Sequence, residues 1–309
     1  LALVLLLVGP VQAAQPNRPV SFVNDVMAVL GKAGCNSGAC HGHNSGKGGF
    51  KLSLRGYDRR ADHAALIDPD SGRVDREDAE ESLILQMPTA QLEHGGGKRF
   101  AIGSESYRVL RDWIRQGARN DVETATKIQR IVVHPSEFEH RQAGQIQPLR
   151  VMATFADGLQ RDVTRLAIFE LGSEGVVEVD VAGRVTSRHP GETAVLVRFL
   201  GKKAISRALV IRTQPRFEWS KPPQYNFIDR HIDAKLKKIQ VLPSTVCNDA
   251  DFLRRVSLDI CGLPPGAAEV RAFLSDTAAD RRIRKIDELL SREDYGDAWA
   301  MRWLELSGT

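Results

Sequence analysis

The apolar residues of this chain change their spacing twice. Over residues 19–120 they recur at helical intervals. Over 128–213 they cluster in short runs between turn residues, and over 224–309 they return to helical intervals. A helix needs one apolar stripe at a period of about 3.6, whereas a half-buried strand needs one apolar face at a period of about 2. No single layer arrangement satisfies all three blocks. A chain of 309 residues has room for more than one domain. The expectation is a multidomain protein: a mainly α block, an all-β block and an all-α block.

The first block opens with a helix carrying Phe22, Val26, Val29 and Leu30, ended by Gly31 and Gly34. It closes with a helix running from Ser104, an N-cap residue type, to Gly117, a C-terminal stop. On that helix Tyr107, Leu110 and Ile114 share a face, flanked by Val109 and Trp113. Between the two, Phe50, Leu52 and Leu54 alternate as a short strand, Asp62 to Ile67 reads as a helix, and 68–80 reads as a charged surface loop. In the second block the strand-like runs lie at 131–133, 149–155, 176–181 and 194–199. Asp157-Gly158, Ala182-Gly183 and Pro190-Gly191 mark turns between them, so an antiparallel sandwich is expected. In the third block Phe227, Ile228, Ile232, Leu236 and Ile239 mark an amphipathic helix. Phe252, Leu253, Val256 and Ile260 mark a second, and Trp299 and Trp303 sit four apart near the end. Arg254, Arg255 and Asp259 form its polar face, with Arg255 and Asp259 at ion-pair spacing.

Chemistry concentrates in Gly34-Cys35-Asn36-Ser37-Gly38-Ala39-Cys40-His41-Gly42. Two thiols followed directly by a histidine are the parts needed to attach a haem through thioether bonds and ligate its iron. The spacer here is wider than in the usual C-x-x-C-H form. Cys35 and Cys40 are the attachment candidates and His41 the proximal ligand, donating a neutral imidazole nitrogen. The distal ligand is expected shortly before the closing helix. His94, opening His94-Gly95-Gly96-Gly97, is favoured because the glycines let the backbone approach a flat ring. Met87 is the alternative, and an open or water-bound site is the third choice. Two rival readings use the same residues: a local Cys35–Cys40 disulfide, and a zinc site that adds His43.

Residues 1–14 read as the apolar core and cleavage region of a secretory signal peptide that lacks its own front. The final residues do not read as a domain end, so the C-terminus is expected to be cut as well. Export suits thioether attachment, which takes place outside the cytoplasmic membrane. The formal net charge of +4 is small for this length and gives no reason to expect nucleic acid as a partner. No other segment is apolar enough to span a bilayer. The state of Cys247 and Cys261 is open from sequence.

Three resemblances fall on these blocks. Phe22-x-x-Asp25-Val26, the Cys35–Gly42 stretch, Gly49-Phe50-x-Leu52-Ser53-Leu54, His94-Gly95-Gly96-Gly97 and Trp113-Ile114-x-x-Gly117-Ala118 resemble the planctomycete cytochrome-c-like domain. The segments Ile131-x-Val133-x-Pro135, Ala153-Thr154-Phe155-x-Asp157-Gly158, Asp162-Val163-Thr164 and Val179-Asp180-x-x-Gly183-x-Val185 resemble bacterial Ig-like domains of group 2. Phe169 stands where that family usually has Trp. Residues 251–265, with Tyr295, Trp299 and Trp303, resemble the helical domain of unknown function that accompanies planctomycete cytochromes. The resemblance implies a secreted protein with one covalent haem c held by Cys35, Cys40 and His41. The expected role is electron transfer at the periplasmic side or cell envelope to an unidentified redox partner. The Ig-like block would serve as spacer or adhesion module toward a surface polymer or protein. Two other classes remain: a haem-dependent or hydrolytic envelope enzyme, and a structural adhesion protein without haem. No nucleophile–base pair or carboxylate dyad supports the enzyme class.

Overall fold

The computed structural model describes residues 18–308, so the expected signal segment lies outside the described residues. Contacts divide the chain after Glu218 into two units. The first combines helices with β-sheets, and the second is helical. Among the described residues no helix is long and apolar enough to cross a membrane.

The chain enters the first unit through one continuous helical segment. A π-helical turn, Phe22–Val26, runs into α1, Met27–Lys32. The Ser21 hydroxyl caps it by accepting from the Asn24 N–H, and the Ser21 carbonyl accepts from both Asp25 and Val26. The expected stop is displaced. Gly31 lies inside α1, and the break comes at Ala33 and Gly34, where Gly34 takes a φ of 76°. Three further helices follow: α2 (Arg59–Ile67), α3 (Leu83–Thr89) and α4 (Glu105–Arg115). Ser104 caps α4, and Tyr107, Leu110, Trp113 and Ile114 are buried. Phe22, Trp113 and His63 form the centre, with Phe22–Trp113 ring centres 5.6 Å apart and Phe22–His63 4.9 Å apart. Each large side chain so buried contributes roughly 2–3 kcal/mol. His63 Nε2 bonds the Ala118 carbonyl at 3.0 Å, which marks it as a core histidine and not a ligand.

One expectation for this block fails. Residues 50–54 are not a strand, because their N–H groups go elsewhere. Leu52 donates to His41 O, Ser53 to the buried Asp62 carboxylate, and Arg55 to Asn36 O. The loop expected at 68–80 contains short 3-10 turns at Pro69–Ser71 and Ala79–Glu81, and α3 follows it directly. Met87 and Pro88 therefore lie on a helix. Pro88 sits inside α3, one residue before its end at Thr89, at the cost of one helical N–H.

Ten strands follow: β1 (Ile128–His134), β2 (Glu137–His140), β3 (Ile146–Pro148), β4 (Arg150–Phe155), β5 (Gln160–Asp162), β6 (Ile168–Leu171), β7 (Val177–Val179), β8 (Arg184–Ser187), β9 (Gly191–Phe199) and β10 (Lys202–Val210). They form three sheets, ordered β1-β4-β5, β2-β10-β9-β6 and β3-β8-β7. Alternation along β9 buries Thr193, Val195, Val197 and Phe199. Leu200 and Gly201, both with positive φ, make the tight turn that joins β9 to β10. The expected antiparallel pattern has one exception: β2 pairs with β10 in parallel. The long stretch of chain between them permits that crossover.

The helical and β-rich blocks share one apolar cluster, running from Phe22 to Val210. The junction is also polar. Asp25, with its side chain 3% exposed, takes Arg18 and Arg161 at 2.6 Å each and the Ser21 N–H at 2.9 Å. Lys32 Nζ donates to the Arg165 and Val181 carbonyls at 2.7 Å each, and burial lowers its pKa to about 8.

In the second unit five helices follow: α5 (Phe227–Lys238), α6 (Asp249–Cys261), α7 (Ala267–Ser275), α8 (Arg281–Leu290) and α9 (Glu293–Ser307). The α6 core line is Leu253, Ser257 and Cys261, a shift from the face expected at 252–260. Arg254, Arg255 and Asp259 are exposed, and the Arg255–Asp259 pair does not form among the described residues. Asp249 instead holds Arg281 and Arg282 across helices, and Glu269 holds Lys285 and Arg292. Cys247 and Cys261 are free thiols, Cys261 being buried against Leu289 O at 3.6 Å.

Candidate functional site

The Cys35–Gly42 loop starts where α1 ends. The Cys35 N–H is bonded to Leu30 O, as the last turn of the helix uses up its carbonyls. The chain then folds back on itself. Ser37 N–H donates to Gly34 O, Cys40 N–H to Ser37 O, and His41 N–H to Cys35 O at 2.9 Å. Gly42 closes the loop, and only glycine fits there, because a Cβ would stand 2.3 Å from the Asn36 carbonyl oxygen. This compact turn brings Cys35, Cys40 and His41 to one wall of a cleft.

The opposite wall comes from α3 and the loop after it. Met87, Pro88, His94 and Arg99 line the same cleft. The 94–99 loop is pinned to α3 by the Arg99 N–H, which donates to Pro88 O at 2.7 Å. Gly96 abuts the His94 ring so closely that a Cβ there would lie 2.8 Å from Cε1. The inner end, about 40 Å³, is closed by apolar side chains including Leu30, Phe50 and Ile84. The outer part opens to about 500 Å³ between His41, Arg73, Met87, His94 and Arg99. That is room for a ligand of cofactor size.

His41 and His94 face each other across this space. Their ring centres are 6.3 Å apart and their planes 18° from parallel. His41 Nδ1 lies 3.0 Å from Phe50 O and 3.1 Å from Lys47 O, and His94 Nδ1 lies 3.0 Å from Gly97 O. A carbonyl only accepts, so each ring carries its proton on Nδ1. Nε2 is left as a lone-pair donor. Burial lowers the His41 pKa further, partly offset by the two carbonyls, so the ring is neutral near pH 7. His43 turns away, exposed, toward Ser45 Oγ.

The thiols are free. Burial pushes Cys35 up to about 11 against the opposing pull of Arg99. Cys40 Sγ accepts from Arg99 Nη2 at 3.3 Å. Met87 Sδ accepts from Arg73 Nη1 at 3.5 Å. Among the described residues no three His, Cys, Asp or Glu side chains converge to hold a metal ion by themselves. What the cleft offers is two free thiols on one wall and two imidazole donors on facing walls.

Arg73 and Arg99 also line the cleft, and the sequence marks neither as a site residue. Arg99 sits five residues past His94, and that proximity was the one signal available. Arg73 lies in a charged stretch with nothing to distinguish it. A larger groove, about 820 Å³, is lined by Arg18, Arg150, Arg161, Arg165 and Arg184. Four of these five arginines are already paired, with Asp25, Asp162 or Asp180, so the groove is largely self-neutralised.

No curated protein matches the chain. Residues 227–309, within the helical second unit, match PSCyt2, a family described as a protein of unknown function (DUF1549) and associated with planctomycete cytochromes.

Proposed function

We propose that this is an exported c-type cytochrome-like protein that carries one covalent haem in the 35–99 cleft and passes electrons at the cell envelope. One observation carries the reading: His41 and His94 face each other at 6.3 Å with both Nδ1 atoms tied to backbone carbonyls and both Nε2 atoms free. Two metal–nitrogen bonds of about 2 Å, with half a ring at either end, span about 6 Å. A backbone carbonyl on the far nitrogen is the usual way a ligating histidine is oriented. The free thiols of Cys35 and Cys40 on the His41 wall, and the outer cleft of about 500 Å³, fit the same group.

When bound, the haem supplies a one-electron couple that the side chains lack. In this reading Cys35 and Cys40 would hold the ring edge by thioether bonds. His41 and His94 would ligate the iron, while Phe50, Leu30 and Ile84 would keep water from the inner face. The bis-histidine set places the reduction potential below that of a His/Met set. Residues 19–120 would then form the cytochrome-c-like domain. Residues 128–213 would be an Ig-like spacer or adhesion module toward a surface polymer or protein, and 224–309 a docking domain for a partner.

A pyridine haemochrome spectrum of the protein, made in a host that matures c-type cytochromes, tests the reading. One thioether-bound haem per chain is expected. A protein without covalent haem leaves the structural, disulfide-bearing alternative in place and ends this one. His94→Ala should convert a low-spin spectrum to high-spin. An unchanged spectrum would return the axial role to Met87, and a native high-spin ferric spectrum would favour a haem enzyme.

A further inference from the structure

Arg73 is a cation placed in the cleft without an anion. Its Nε is fully buried and has no hydrogen-bond partner. Its guanidinium carbon lies 4.6 Å from the centre of the Phe50 ring, and Nη1 reaches only the Met87 sulfur. Phe50 in turn packs edge-on against His41, with ring centres 4.8 Å apart. Arg73 is therefore held on the wall beside the proximal histidine by contacts that do not neutralise it. Arg99 stands at the rim, exposed, with the Cys40 sulfur as its side-chain contact. Among the described residues neither arginine forms an ion pair. Glu93, which lines the outer cleft with them, pairs with neither. Lys47 also lines the outer cleft, so the charge there is predominantly positive.

A half-buried guanidinium on a cleft wall with no anion beside it calls for one. Guanidinium presents a planar fork that matches a carboxylate with two parallel hydrogen bonds. We propose that Arg73, with Arg99 at the rim, is the carboxylate clamp of this cleft, and that Arg73 receives a propionate of the bound macrocycle on its guanidinium. This rests on the haem reading above. Arg73 is a positioning residue: it fixes how deep the ring sits and keeps one propionate ionised beside the iron ligand His41.

The test is redox titration of the covalently loaded full chain as a function of pH, for wild type, Arg73→Gln and Arg73→Lys, each at haem content matched by haemochrome. In the wild type the carboxylate is pinned in its charged form, so the potential is flat from about pH 5 to about pH 8. Arg73→Gln should bring a carboxylate-linked titration into that range, shifted upward by about one to three pH units. Arg73→Lys keeps the charge and loses the fork. It should shift the titration in the same direction by less, and it guards against a glutamine variant that does not fold. Met87→Leu removes the Arg73–sulfur contact and should leave the profile unchanged; a profile like that of Arg73→Gln would assign the effect to the sulfur and overturn the clamp. Identical profiles in wild type and both Arg73 variants at equal haem content overturn the clamp and leave the haem reading standing. Absence of covalent haem from the wild type removes both. Repeating the series with and without inorganic phosphate separates the two sources of anion. An effect of Arg73→Gln that exists only with phosphate present assigns the site to a free anion and overturns the propionate assignment.

Discussion

Two charges in the first unit, the buried Asp25 and the half-buried Arg73, are treated in opposite ways. Asp25, at the junction of helices and sheets, is closed off by Arg18, Arg161 and the Ser21 N–H. Arg73, some fifty residues on, is left with a ring face, a sulfur and an unused N–H. Removing a charge from water costs several kcal/mol unless partners replace the water. Where the chain itself supplies the partners, as around Asp25, the charge serves the fold. Where it does not, the charge opens onto a cleft that holds two thiols and two imidazoles, and in our proposal a ligand supplies the missing partner.

The largest effect that could break this contrast is at Asp25. Asp25→Ala strands Arg161 and, less severely, the partly exposed Arg18. It should cost about 3 kcal/mol in urea unfolding. A loss below about 1 kcal/mol would mean that apolar packing alone holds the junction.

Lys32 gives an intermediate effect with a defined sign. Its folded pKa, about 8, lies below its ordinary 10.5. Between these values the unfolded chain holds the proton that the folded chain has released, so stability rises with pH across that window. The buried Cys35 thiol acts oppositely, since its pKa is raised from 9.0 to about 11 and stability falls as pH rises through that range. Comparing wild type with Lys32→Met cancels the Cys35 contribution. The variant should lack the rise between pH 8 and 10.5. Parallel stability curves would show that Lys32 keeps its proton in the junction.

The smallest effect is the sharpest discriminator. In protein prepared without haem, Arg73→Met should change stability by no more than about 1 kcal/mol, because an uncompensated charge is removed along with its stacking on Phe50. A loss as large as that of Asp25→Ala would make Arg73 a structural residue and remove the basis for the contrast.

Local signals carried much of the first unit. The Ser104 cap, the apolar stripe of α4 and the stop at Gly117 are visible one turn at a time, and the helix forms where they place it. The same kind of reading failed at 50–54. The alternation there is real, but a strand needs a neighbour, and these N–H groups find His41 O, Asp62 and Asn36 O instead. It also missed α3, because Met87-Pro88 carries the residue that normally ends a helix, and here it does so from inside. Strand β10 escaped because the exposed Lys202, Lys203 and Arg207 dilute the apolar run, and its inward face only becomes legible once β9 lies beside it.

Residue order alone determined that Cys35, Cys40 and His41 lie on one short stretch, since only six peptide bonds separate the first from the last. It also determined the succession of helical, strand and helical blocks, because periodicity is a property of neighbours along the chain. Only the tertiary structure decided that His94 faces His41, that Met87 is turned to Arg73, and that Arg73 enters the cleft without a counter-charge. Those outcomes depend on how α1, α3 and the 94–99 loop pack. The energies that set such packing come from residues far apart in sequence, which no local pattern records.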